Sequence, residues 1–260
     1  MATQRVQLGL SMSTGATICS TVHVSNLSRS ISFYQKVLGM DQIGKEGDTV
    51  TLGYEKYPAV TLRLAPASDT LKLGDGYKGI SVNAADADEV FVRALDEGAE
   101  VVTPVGDYAW GAALVPDEDD LKQKPVRYGR FVDPDGYMVE VMEPDVLEAV
   151  RNAAAGDSRI QRVVLGVIDL DESVDFYTAR LGMRELRRRA NINSIPKDAS
   201  MVSFVSFSDA ETFDTPCIEL KYKYATETID VGNGFVGLDI RTPEKVSSVR
   251  DPNGYLIKSL

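Results

Sequence analysis

The sequence predicts an α+β fold built as two tandem modules, the second of them shortened. Two recurring phrases and a length difference carry that prediction. Residues 24–34 read Val-Ser-Asn-Leu-Ser-Arg-Ser-Ile-Ser-Phe-Tyr, residues 167–177 read Val-Ile-Asp-Leu-Asp-Glu-Ser-Val-Asp-Phe-Tyr, and each runs on to Leu-Gly-Met, at 38–40 and 181–183. A closing phrase also occurs twice, Asp133-Pro134-Asp135-Gly136-Tyr137 and Asp251-Pro252-Asn253-Gly254-Tyr255. Two independent phrases in the same order mark an internal repeat. Met40 and Met183 are 143 positions apart, whereas Asp133 and Asp251 are 118 apart, so the second copy lacks 25 residues between its phrases. The loss falls between Ile240 and Val249, where the first copy has room for a second helix.

Residues 1–15 are expected to form a flexible N-terminus. Thr17, Ile18, Thr21, Val22 and Val24 then turn the composition β-like, a first strand over 16–24. Asn26 or Ser28 caps a helix whose apolar stripe is Ile31, Phe33, Tyr34, Val37 and Leu38, and Gly39 ends it. Strand-like runs follow at 49–54, 60–64 and 79–83. A second amphipathic helix covers 86–97, with Val90, Phe91, Ala94 and Leu95 inward and Gly98 at its end. Val101 and Val102 begin another strand, and from Gly106 to Tyr128 the chain reads as a long surface loop through Trp110 and the acidic run 117–120. Residues 130–132 and 138–142 flank the Asp-Pro turn as a hairpin. The first module is therefore 16–142. Residues 143–158 form a linker, with a helical turn around 146–155, and the second module is 159–260. It repeats the order: a strand at 163–167, a helix capped by Asp169 and ended by Gly182, then strands at 201–207, 218–222 and 235–240, with no second helix.

At 260 residues the chain can bury two small cores, and 43% hydrophobic with 26% charged residues describes a soluble globular protein. A net charge of −11 argues against a nucleic-acid backbone as partner, and the short basic run at Arg187, Arg188 and Arg189 reads as a solvated face. No apolar run is long enough to span a membrane. Cys19 and Cys217, each in an apolar strand-like run, suit a reduced compartment rather than secretion. The first forty residues hold no Asp or Glu and open rich in Ser and Thr, which resembles the end of an organelle transit segment; the expected location is an organelle interior (plastid or mitochondrial) or the cytoplasm. No Gly-x-Ser-x-Gly, P-loop or dinucleotide fingerprint is present.

The repeated phrases, together with Ile218-Glu219-Leu220-Lys221-Tyr222-Lys223-Tyr224 and the following Asp230-Val231-Gly232-Asn233-Gly234, resemble the glyoxalase I branch of the vicinal-oxygen-chelate (glyoxalase/bleomycin resistance) superfamily in its two-module, fused form. The resemblance implies a βαβββ unit in each half and two halves pairing into a curved mixed sheet around a central cleft. It also implies a divalent metal held by four side chains, usually His or Gln, Glu, His and Glu, a donor set suited to Ni or Zn. Carried onto this chain, the first-strand positions fall on Cys19 and Arg162, and the fourth-strand carboxylate on Arg63 and Glu219. The histidine falls on Tyr77 and Phe235, the final glutamate on Glu140 and Lys258.

Assembled as the family assembles them, one cleft is lined by Cys19, Arg63, Phe235 and Lys258. Its two cations would repel a divalent metal and favour an anion. The other is lined by Arg162, Glu219, Tyr77 and Glu140. There Arg162 stands where an imidazole or amide belongs, and its planar fork is expected to pair with both carboxylates in place of the ion. Gln161 beside it should face away, because strand side chains alternate. The family's substrate anchors also differ: its glutathione-binding Arg becomes His23 or Gly166, and its Asn becomes Lys223. His23, the only histidine, reads as a packing or surface residue.

The leading expectation is thus a glyoxalase-like protein that has lost metal-dependent lyase activity, needs no cofactor, and serves as a binding or scaffold subunit. Protein partners would dock on the inserted loop near Trp110, or on a sheet face bared by the missing helix of the second module. One alternative is an active lactoylglutathione lyase using Ni or Zn with Glu140 as base. The other is a carrier of small ligands.

Overall fold

The structure, a computed structural model, describes residues 16–108, 126–143, 158–191, 199–208, 215–241 and 248–259. Trp110, the N-terminal residues 1–15 and the linker turn at 146–155 lie outside them. The first half contains β1 (Thr17–Val24), α1 (Leu27–Leu38), β2 (Asp41–Glu46), β3 (Thr49–Gly53) and β4 (Val60–Pro66). It continues with β5 (Tyr77–Asn83), α2 (Ala87–Asp96), β6 (Glu100–Tyr108), β7 (Val126–Val132) and β8 (Met138–Met142). The second half has β9 (Arg159–Gly166), α3 (Leu170–Leu181), β10 (Arg184–Asn191), β11 (Ser200–Ser206) and β12 (Cys217–Lys223), then β13 (Phe235–Arg241), β14 (Val249–Arg250) and β15 (Leu256–Ser259). Each half thus holds two βαβββ units rather than the one that the resemblance implied, and among the described residues the fourth unit has three strands and no helix. Only residues 242–248 separate β13 from β14, too few for a counterpart of the ten-residue α2.

The helical phrase folds alike in both copies. Asn26 accepts from the Arg29 amide at 3.0 Å and Asp169 from the Glu172 amide at 2.9 Å, each capping a helix N-terminus. Gly39 and Gly182 end the helices at φ +67° and +69°, a left-handed conformation that glycine adopts without a Cβ clash. The closing phrase forms a turn in which Asp133 accepts from the amides of Asp135 and Tyr137, at 2.9 and 2.8 Å. The two phrases touch: the Tyr34 hydroxyl donates to Asp133 at 2.9 Å, and Tyr177 donates to Asp251 at 3.2 Å.

The strands form two mixed, curved sheets in the orders β14-β15-β13-β1-β4-β3-β2 and β10-β11-β12-β9-β5-β8-β7-β6. The first sheet joins units one and four, the second joins units two and three. One face of each sheet, with Ile18, Leu62, Leu238, Val139, Val163 and Ile218, enters a continuous core that also takes Phe33, Val90 and Tyr177 from the helices.

Several expectations change. Leu95 points outward at 56% exposure, while Val90, Phe91 and Ala94 are buried as the helical spacing requires. Strand pairing reaches Tyr108 on one side and starts at Val126 on the other, so the excursion between them is narrower than 106–128. β2 and β10 carry no apolar alternation because both are sheet edges. Loss of the fourth unit's helix does not bare its core face at β13 and β15: Leu238, Ile240 and Ile257 are 0%, 1% and 2% exposed, within the shared core. No helix among the described residues is long and apolar enough to cross a membrane.

Candidate functional site

On each sheet the face turned from the core carries a set of polar side chains on four adjacent strands, three of them at one level and the fourth two residues along its strand. In the second sheet these are Glu219 (β12), Arg162 (β9), Ser81 (β5) and Glu140 (β8), with Arg162 opposite Ser81 and Ser81 opposite Glu140. In the first sheet the equivalent strands give Arg63 (β4), Cys19 (β1), Asp239 (β13) and Lys258 (β15), with Cys19 opposite Asp239 and Asp239 opposite Lys258.

The second-sheet site is closed around an ion pair. Arg162 Nη1 donates to Glu219 Oε2 at 2.9 Å, with both side chains buried. Its Nη2 lies 2.9 Å from Met142 Sδ, and the guanidinium sits over the Phe204 ring at 5.2 Å. Burial opposes the Arg162 charge, but Glu219, Cys217 and Glu140 outweigh it, so the guanidinium is held above its ordinary value. Glu140 is equally buried and accepts from the Tyr128 hydroxyl at 3.0 Å. Burial first, and Glu140 second, push that tyrosine well up, so it stays a donor. Arg162, Glu219 and Glu140 lie in one site, where Arg162 pairs directly with Glu219 and meets Glu140 only electrostatically, not through the fork to both carboxylates that the sequence suggested. Gln161 falls at a β-bulge, passed over where Ser81 pairs with Arg162 and Val82 with Ile160.

The first-sheet site is open. A cavity of about 270 Å³ is lined by Thr21, His23, Glu46, Arg63, Asp239 and Lys258, among others. Arg63 is ion-paired with Asp239, and Lys258 is exposed. Cys19 lies buried beside them, its thiol pushed up by burial and therefore neutral. The His23 ring contacts the Asn233 carbonyl through Nδ1 at 2.9 Å.

Tyr77 and Phe235 belong to neither site. They stack on each other at 4.6 Å and 9° where the two sheets meet, flanked edge-on by Tyr137 and Tyr255 respectively. The third position of each set is four residues later, at Ser81 and Asp239. The sequence carries a signal for these positions: a polar residue between two apolar ones marks a strand with one face buried, as in Leu238-Asp239-Ile240, Val139-Glu140-Val141, Ile218-Glu219-Leu220 and Leu62-Arg63-Leu64. Asp239 also changes the electrostatics expected of the first cleft, since it neutralises Arg63 and leaves Lys258 as the cation there without an ion pair among the described residues.

Neither donor set fits a divalent metal. In the second sheet one carboxylate is engaged by a buried guanidinium, and a dication beside that charge would be repelled. In the first, Arg63 and Lys258 flank the only acid at the level of the ligand positions. Elsewhere, Asp86, Asp88 and Glu143 bring their carboxylates within 4.8 Å of one another. All three are already engaged in the fold. Asp86 caps α2, Glu143 accepts from the Ala87 amide at 2.8 Å, and Asp88 pairs with Arg127 at 2.6 Å.

A family model described as the Glyoxalase/Bleomycin resistance protein/Dioxygenase superfamily matches residues 19–141 and 159–217. A lactoylglutathione lyase of Arabidopsis thaliana is 23% identical over 239 residues, covering 86% of this chain and 73% of its own. A lactoylglutathione lyase of Oryza sativa subsp. japonica is 30% identical over 129 residues, 48% of this chain and 39% of its own. Among solved structures, glyoxalase I from Zea mays superposes with a TM-score of 0.67 at 20% identity, over 93% of this chain and 92% of that one.

Proposed function

The chain belongs to the glyoxalase/bleomycin resistance protein/dioxygenase superfamily, and from that membership we propose that it is a glyoxalase I-fold binding protein that has lost the metal-dependent lactoylglutathione lyase reaction. The observation that carries this reading is the buried Arg162–Glu219 pair at 2.9 Å. A fixed monocation, bonded to the carboxylate that a metal would need, occupies the metal's level in the sheet. Glu140, the residue best placed to act as a base, is buried and already accepts from Tyr128. The open cavity of the first sheet favours a small ligand over a large protein surface as the primary occupant.

The test is metal analysis of the purified chain, paired with a methylglyoxal–glutathione assay in added Ni²⁺ or Zn²⁺. The expected outcome is less than a tenth of an equivalent of tightly held metal and no turnover above the uncatalysed rate. One equivalent of metal, lost on Glu219→Gln together with turnover, would establish a working lyase instead.

A further inference from the structure

We infer that the cavity of the first sheet binds a small hydroxylated carboxylate, with Arg63 and Lys258 holding its carboxyl group. This deepens the binding-protein reading above and rests on it. The cavity's volume of about 270 Å³ equals about nine waters at the ~30 Å³ each occupies in the liquid, room for a compact organic acid. Its walls come from distant strands: Lys258 on β15 and Glu46 on β2 lie five strand spacings apart in sheet order, so curvature folds the sheet around the space.

Charge selects the ligand class. Asp239 takes one donor of Arg63, and a guanidinium has five, so others remain on the side chain that lines the cavity. Lys258 makes no ion pair with any described residue, and it sits next to Asp239 across the β13–β15 pairing. Cys19 is neutral. A monoanion can therefore take Lys258 and the remaining edge of Arg63. A phosphate dianion would bring a second charge against Asp239 and Glu46. Hydroxyl recognition comes from the rest of the wall. The His23 ring is held through Nδ1 on the Asn233 carbonyl, which leaves its other nitrogen for a ligand hydroxyl, and Thr21 and Thr49 supply hydroxyls.

The experiment is calorimetric titration of the intact chain at constant ionic strength with glycerate, propionate and inorganic phosphate. Glycerate should bind saturably at one site, more tightly than propionate, with phosphate weakest. Lys258→Gln, at an exposed position, should weaken glycerate about tenfold, as expected for losing one charged contact. The double variant Arg63→Gln/Asp239→Asn removes the ion pair as a neutral unit and should weaken it at least as much. If that variant does not fold, Lys258→Gln decides alone. Absence of saturable carboxylate binding, unchanged affinity in Lys258→Gln, or phosphate binding tighter than glycerate would each overturn the inference. Metal-dependent lyase turnover would overturn the preceding reading while leaving this titration untouched, because the two sites lie on different sheets.

Discussion

Arg162 shows how one side chain can close a site. It is 7% exposed, has one carboxylate at bonding distance and another within electrostatic reach, and lies over an aromatic ring. Removing one partner of a buried pair costs more than removing both, because the surviving charge stays desolvated. Glu219→Gln should therefore destabilise the chain by about 3 kcal/mol, read by urea denaturation. Arg162→Met/Glu219→Leu should recover most of that loss, since apolar groups of similar volume need no partner. A single variant as stable as the parent would show that the pair does not hold the charge in place. The sequence makes this site legible as far as its charges: Arg162, Glu219 and Glu140 can be found by counting from the repeated phrases. Their partners cannot, because Tyr128, Met142 and Phe204 come from β7, β8 and β11, and only the register of the sheet selects them.

At the scale of elements, the closing phrase is a clasp, holding a turn after one strand against the helix of the preceding unit. Asp133 is its centre, buried, accepting from two amides and the Tyr34 hydroxyl, with Asp135, Tyr77 and Tyr137 nearby. Burial raises its pKa from 3.8 to about 6, against the pull of the Tyr137 amide and Tyr34. The folded chain thus keeps a proton that the unfolded chain releases, so stability falls as pH rises from about 4 to about 6 and is level above. A displacement of roughly two units corresponds to about 3 kcal/mol. Asp133→Asn keeps the Oδ1 acceptor and removes the titration. The stability difference between pH 4 and pH 7 should shrink by about 2 to 3 kcal/mol in the variant, measured by denaturant melts at both values. An unchanged difference would place the proton elsewhere, with Asp251 in the second clasp, also raised by burial, the next group to substitute. The caps, the left-handed glycines and the strands with one buried face are readable because each depends on neighbours in sequence. The edge strands β2 and β10 are not, since neither alternates polar and apolar residues.

The whole molecule follows a different division from its repeat. Sequence similarity separates the chain into halves, yet each sheet takes one unit from either half, through the β1–β13 and β5–β9 pairings. A contiguous repeat shows which stretches resemble each other and is silent on which edges pair, so the pairing across halves is visible only in the folded chain. The stacked Tyr77 and Phe235, one from each half, mark where the sheets meet, and Tyr137 and Tyr255 anchor to the carbonyls of His23 and Gly166 at 2.7 Å. Residues 16–143 alone would keep strands β1 to β8 with α1 and α2 but would leave β1 and β5 as open edges, and unpaired strand edges template association. That half should therefore leave a sizing column with light scattering as a dimer or larger, β1 and β5 of each copy taking the places of β13 and β9. Since the cavity walls at Asp239 and Lys258 belong to the missing half, such a dimer should also lose glycerate binding while keeping its sheet circular dichroism. A folded monomer of 16–143 would show that the two halves are independent domains, and that the shared sheets are a consequence of packing rather than its cause.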